Sequence, residues 1–220
     1  MLPSLVLCLQ SAHDAGRLTK DIFFHSNPQP RVVAFVAGAG GGFVNELLTM
    51  PGASRAVVEL RQPYSTKALA DTLGEDLLEG ACTRPVAEKL ANAAFARAIA
   101  LGEPKSNAVG LGCTAALISD RPHKGNHRCY ICVRTEKGLH SLALTLAKGC
   151  RDRVGEDSLV SRCMLYALAT ACGLDIPAQS NGREFWRQPP SVDLAQLTDA
   201  QREALEAERL QVHTVRELEP

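Results

Sequence analysis

Residues 31–67 read RVVAFVAGAGGGFVNELLTMPGASRAVVELRQPYSTK. Val32 to Val36 is a β-branched and aromatic run of strand length. It empties into Gly38, Gly40, Gly41 and Gly42, just before a helical pattern carrying Phe43, Val44, Leu47 and Leu48. Strand, glycine turn and helix start in that order leave backbone N–H groups at the positive end of a helix dipole, which suits a phosphate or a carboxylate. Such glycines also turn a chain or let a helix pack closely on a strand, and the full dinucleotide-binding spacing is missing. Both readings stay open at this stage.

Working outward, Ser4 to Ala15 has a helical pattern, and Asn27-Pro28-Gln29-Pro30 is a loop leading into the first strand. Downstream, Pro51-Gly52 ends the second helix. Ala56 to Tyr64 is a second strand, or a short helix leading into one, and Pro63 marks its end. Ser65 caps a helix through Leu73 that Gly74 stops. Thr83, with Pro85 in the first turn, starts a helix carrying Val86, Leu90, Ala93, Ala94 and Ile99 up to Gly102. Strands are expected at Ala108 to Cys113, Cys129 to Arg134 and Ser141 to Ala147, the last two forming a hairpin through Glu136-Lys137-Gly138. A closing helix is expected from Leu159 to Cys172. The pattern predicts an α/β fold, a three-layer α/β/α sandwich around a mixed sheet of about five strands.

Beyond Gly173 the composition changes. Pro177, Pro189 and Pro190 fall among polar residues from Ile176 to Asp193, a linker with one aromatic pair, Phe185-Trp186, suited to docking on the body or on a partner. Thr198 then opens a charged helix, DAQREALEAERLQV, with a Thr-x-x-Gln box. The expected organisation is one domain over residues 1–173, its core at about 21–173, followed by a linker and charged helical tail over 174–220.

Lys plus Arg and Asp plus Glu each number 24, so the chain advertises neither nucleic acid nor an anionic membrane as its partner. No apolar run approaches the roughly 18 residues of a membrane span, and a cytoplasmic protein is expected. The eight cysteines are scattered through apolar stretches, as small core residues in a reducing compartment are. Cys129 and Cys132 form a C-x-x-C pair, but on a strand they point to opposite faces and cannot close on one metal without a bulge. Neither a metal nor a cofactor is expected.

The most basic short segment holds Arg121, His123, Lys124, His127 and Arg128. It reads either as a phosphate-holding loop or as a solvated connection. Residue by residue, Ser54 suits a helix N-cap, Tyr64 a half-buried strand end, and Arg151 and Arg153 pairing with Glu156 and Asp157.

Pro51-Gly52-Ala53-Ser54, Tyr64-Ser65, the Thr83 helix start, a Gly112 turn and the element from Lys148 to Arg151 follow one another as in the CinA C-terminal domain. The chain resembles that family over about Asp21 to Gly173. It is most similar to the CinA-like domain that precedes a nucleotidyltransferase domain in plant and algal proteins, through GCTAALISDRPHKGNHR and LAKGCRDR. The family includes nicotinamide-nucleotide amidases, also called NMN deamidases. The resemblance therefore implies a nucleotide ligand and hydrolysis of the carboxamide of nicotinamide mononucleotide, giving nicotinate mononucleotide and ammonia.

On that resemblance Ser54 is the nucleophile and Tyr64 belongs to the site. The family's lysine, five residues after the tyrosine, is replaced by Leu69. Lys67 lies two positions earlier, about 200° away on a regular helix, so it serves as base only if the first turn is irregular; Lys124 is the other candidate. Restoring the lysine by Leu69→Lys is expected to raise activity. Binding is assigned to Gly40, Gly41, Gly42, Thr114, Arg121, Lys124, Arg128 and Arg151. The glycine turn and the segment from Gly112 to Ala116 lack the family's side chains. Two classes remain open: an amidohydrolase with a displaced base and weakened catalysis, or a noncatalytic pyridine-nucleotide-binding or interaction domain. A homodimer and a functional link to a nucleotidyltransferase are the protein partners expected.

Overall fold

The computed structural model describes residues 15–77, 80–121, 124–174 and 197–216. Residues 15–24 form α1, which leads to β1, Arg31–Ala37. Then come α2, Gly41–Thr49, a short 3-10 turn at Ala53–Arg55, and β2, Val57–Arg61. Helices α3, Thr66–Leu73, and α4, Arg84–Ala100, precede β3, Ala108–Ala116. The hairpin of β4, Arg128–Thr135, and β5, Gly138–Thr145, feeds α5, Arg153–Ala171. Finally α6, Asp199–Ala207, is followed by β6, Arg209–Arg216.

The strands form one sheet in the order β2-β1-β3-β4-β5-β6. β1 is parallel to both β2 and β3, and every later pairing is antiparallel. The sheet is mixed and covered by helices on both faces, as expected. Side chains of β1 alternate between the two layers: Val32, Ala34 and Val36 pack with α1, α2 and α5, while Val33, Phe35 and Ala37 pack with α3 and α4. A strand buried on both faces reads as an unbroken apolar run, which is why Val32 to Val36 carries no polar alternation. Cys129 joins the first layer and Cys132 the second, on opposite faces as strand periodicity requires.

Sequence-level boundaries fail where tertiary contact decides. β3 runs on to Ala116, so Gly112 is a strand residue and not a turn. A Cβ at Gly110 would lie 2.2 Å from the Ala91 carbonyl oxygen, and one at Gly112 would lie 2.3 Å from that of Ala87. The glycines let α4 lie directly on the strand. Helix α5 begins six residues before Leu159, because the Asp152 side chain accepts from the Gly155 amide as an N-cap. The charged helix after Thr198 has the expected capping box but ends at Ala207. Residues 209–216 then form a strand beside β5 in place of helix, and the mixed sheet, expected at about five strands, has six. The expected helix before Ala15 lies almost entirely outside the described residues, and His123 and the Phe185-Trp186 segment lie wholly outside them. Among the described residues, no helix is long and apolar enough to cross a membrane.

Candidate functional site

β1 continues through α2 to β2 on one flank, whereas β3 lies on its other flank. The connections leaving the carboxyl ends of β1 and β3 therefore diverge, and a crevice opens where they part, the usual ligand position in an open α/β sheet. A cavity of 240 Å³ occupies it, lined by Ala37 and Gly38 from the end of β1, Thr114 to Leu117 from the end of β3, and Tyr64, Thr66 and Leu69 around the start of α3. Gly38 has φ 87°, and a Cβ there would lie 2.1 Å from the Ala115 carbonyl oxygen, so the two strand ends meet only because residue 38 is glycine.

Arg153, the first residue of α5, supplies the cation. Arg153 lines the cavity, and its guanidinium donates to the carbonyls of Gly38 and, at 3.1 Å, Ile118, two residues at the cavity's edge, bracing the segments that leave β1 and β3. Glu156, fully buried one turn later, accepts from the Ile118 amide at 2.8 Å and sits 2.6 Å from His127 Nδ1. One carboxylate thus ties both ends of the basic segment to α5. The expected pairing of Arg151 and Arg153 with Glu156 and Asp157 does not form.

The amides of the glycine turn are already taken. Gly40 and Gly41 N–H donate to Asp157 Oδ1 at 2.7 and 3.3 Å, and Gly42 N–H donates to Oδ2 at 3.1 Å. Gly40, Gly41 and Gly42 form an anion nest as the strand-glycine-helix pattern implies, but the anion is the chain's own carboxylate rather than a ligand. Arg151 is committed in the same way. It makes a fully buried two-pronged pair with Glu208, at 2.7 and 2.9 Å, and Glu208 also accepts from the Ala147 amide. Arg121, Lys124 and Arg128 are exposed and do not line the cavity.

The expected catalytic residues are not brought together within one chain. Tyr64 is 77% exposed at the cavity mouth, beyond the end of β2. Ser54 lies before β2 begins, and its carbonyl accepts from Arg31 at the start of β1. The five-residue β2 alone, at about 3.3 Å per residue, puts on the order of 15 Å between them. Among the described residues, no lysine or histidine nitrogen hydrogen-bonds the Ser54 hydroxyl. Lys67 is also displaced. The first turn of α3 is regular, with Ser65 Oγ accepting from Ala68 N at 3.1 Å and the Ser65 carbonyl from Leu69 N at 2.9 Å, so Lys67 points to solvent while Leu69 is buried against the cavity.

Of the residues assigned from the sequence, Tyr64 and Thr114 line the cavity. Arg153, Glu156 and Asp157 are expected from the sequence only to pair locally, and their roles here are not legible there, since their partners lie at least 29 residues away along the chain. The available signal was local: Asp152 is an N-cap type just ahead of Arg153, so a sharper helix start would have placed both acids in the first turns of α5. Cys132 and Cys163 serve as core; burial pushes both thiols up to about 12.

A competence-damaged protein (CinA) superfamily protein from Klebsiella pneumoniae superposes with a TM-score of 0.59 at 9% identity, over 74% of this chain and 98% of that one. The chain has the fold of CinA superfamily proteins. The competence/damage-inducible protein CihA from Agrobacterium tumefaciens matches with a TM-score of 0.57 at 19% identity, covering 73% of this chain and 96% of its own. A CinA superfamily protein from Enterobacter cloacae matches at 0.59 and 13% identity, over 72% and 92%. No family model and no curated protein matches the chain.

Proposed function

We propose that the chain is a CinA-like binding domain for a pyridine nucleotide, with the amidase chemistry implied by its sequence resemblance weakened or lost. The observation that carries this reading is Leu69 on the cavity wall, where the resemblance implies a lysine, with Ser54 at the opposite rim of the sheet. A serine hydroxyl without a neighbouring proton acceptor is a poor nucleophile at neutral pH. The crevice is kept, with Tyr64, Thr114 and Arg153 around it.

Two measurements on the full chain test the reading. Millimolar nicotinamide mononucleotide raises the melting temperature, as any ligand that binds only the folded state does. Ammonia release from the same compound stays at background and is unchanged in Ser54→Ala and Lys67→Ala. Turnover that disappears in Ser54→Ala overturns the loss of catalysis, and no thermal shift overturns the nucleotide. The residue at 69 sharpens the point. Leu69→Lys puts an ammonium where the side chain is 1% exposed, so it lowers stability by several kcal/mol unless the amine is neutral. Without Ser54 in the crevice it gains no ammonia release. A gain would mean that a second copy of the chain supplies its Ser54.

A further inference from the structure

We propose that the cavity at the ends of β1 and β3 is a subsite for a small planar carboxylate, with Arg153 as its anion anchor. The inference rests on the cavity itself and extends the nucleotide reading rather than depending on it. At 240 Å³ the space falls below the roughly 300 Å³ at which ordinary ligand pockets begin, so it encloses a single ring and not a whole nucleotide. Ala37, Leu69, Ala81 and Leu117 give it apolar walls.

The polar side is cationic and has no counter-charge. Among the described residues Arg153 forms no ion pair and no carboxylate lines the cavity. The acids nearest to it in sequence all point elsewhere. Asp152 caps Gly155, Glu156 takes His127 and the Ile118 amide, and Asp157 fills the glycine nest. Arg153 is fixed before any ligand arrives, because the Gly38 and Ile118 carbonyls hold its fork while leaving further N–H donors free to serve a ligand. It also stands at the positive end of the 19-residue α5. One guanidinium balances one negative charge. A carboxylate accepts only, and the hydroxyls of Tyr64 and Thr66 at the mouth can donate to it. The matching carboxamide would lose the charge and present N–H donors to a donor-rich site.

Calorimetric titration of the full chain with benzoate and pyridine-3-carboxylate, against the corresponding amides and inorganic phosphate, tests the assignment. The carboxylates bind one to one, and the amides and phosphate bind about tenfold or more weakly, the scale of one charge-assisted hydrogen bond. Arg153→Met loses the preference for acid over amide. Ala81→Met, which takes up cavity space while keeping Arg153 in the chain, loses both ligands and decides the matter if Arg153→Met does not fold. Equal binding of acid and amide, or parent-like binding in Ala81→Met, overturns the proposal. Binding of nicotinamide mononucleotide with none of either carboxylate overturns this proposal and spares the nucleotide reading. Carboxylate binding without the nucleotide does the reverse.

Discussion

Arg151 and Arg153 stand two residues apart ahead of and at the start of α5, and each sends its guanidinium to a different half of the sheet. Toward β5 and β6, Arg151 is sealed from water against Glu208, which stands between α6 and β6. Toward β1 and β3, Arg153 meets, among the described residues, only backbone carbonyls, and it borders a cavity. The antiparallel half uses its charge to fasten chain to chain, while the parallel half, where the connections diverge, leaves its charge open to a guest. The Asp157 nest stands between these cases, an anion site filled from within.

Breaking the sealed pair has the largest expected effect. Glu208→Ala leaves a buried guanidinium without its carboxylate and is expected to cost about 3–5 kcal/mol, read from urea unfolding of the full chain. Replacing both partners, Arg151→Met with Glu208→Leu, recovers most of that loss because neither charge is then stranded. A Glu208→Ala loss below about 1 kcal/mol would mean that water reaches the pair and the contrast with Arg153 collapses.

Asp157→Asn comes next. It keeps one acceptor oxygen near the glycine amides but removes the charge at the start of α2, at an expected cost of about 1–2 kcal/mol. The vacated nest should then take an external anion. Millimolar phosphate is expected to raise the melting temperature of Asp157→Asn more than that of the parent, and equal shifts would show that the amides were never the anion site.

The fold was legible because its determinants are local or periodic. The run Val32 to Val36, the Ser65 and Thr83 caps and the stop at Gly74 each signal their element within a few residues, and the structure places those elements as expected. The site was much less legible. The pattern at Gly40 to Gly42 leaves an anion nest and a plain packing turn both open, and no spacing along the chain shows that Asp157, more than a hundred residues later, occupies its amides. Arg151 matched a motif that suggested a ligand contact, whereas Glu208 reaches it from a segment read as a solvated helix. There the alternation in RLQVHTVR was a strand signal hidden behind the helical pattern of DAQREALEA. Charged residues near a crevice are easy to find in a sequence. Which of them already have partners is a property of the fold.

The smallest effect concerns a third arginine, at the opposite rim, where the pairing is half open to water. Arg31 donates to both carboxylate oxygens of Glu103, at 2.7 and 2.8 Å, and also to the carbonyls of Ser54 and Arg55. The hydrogen bonds from Arg31 hold the Glu103 carboxyl below the usual carboxylate range, against an opposing push from burial. A folded-state pKa lowered in this way stabilises the protein at pH values above the unfolded-state value, about 4.3, and that contribution is lost as pH falls through the lower folded-state value. Glu103→Gln should therefore be less stable than the parent at neutral pH by up to about 1 kcal/mol, the scale of a solvent-accessible pair. The gap should close only once the pH has fallen through that lower folded-state value and the parent carboxyl has taken up its proton. Urea midpoints of the two proteins across that range decide it. A gap that persists in acid would assign the loss to altered packing around Arg31, and then charge at this rim would not distinguish it from the sealed pair at Arg151.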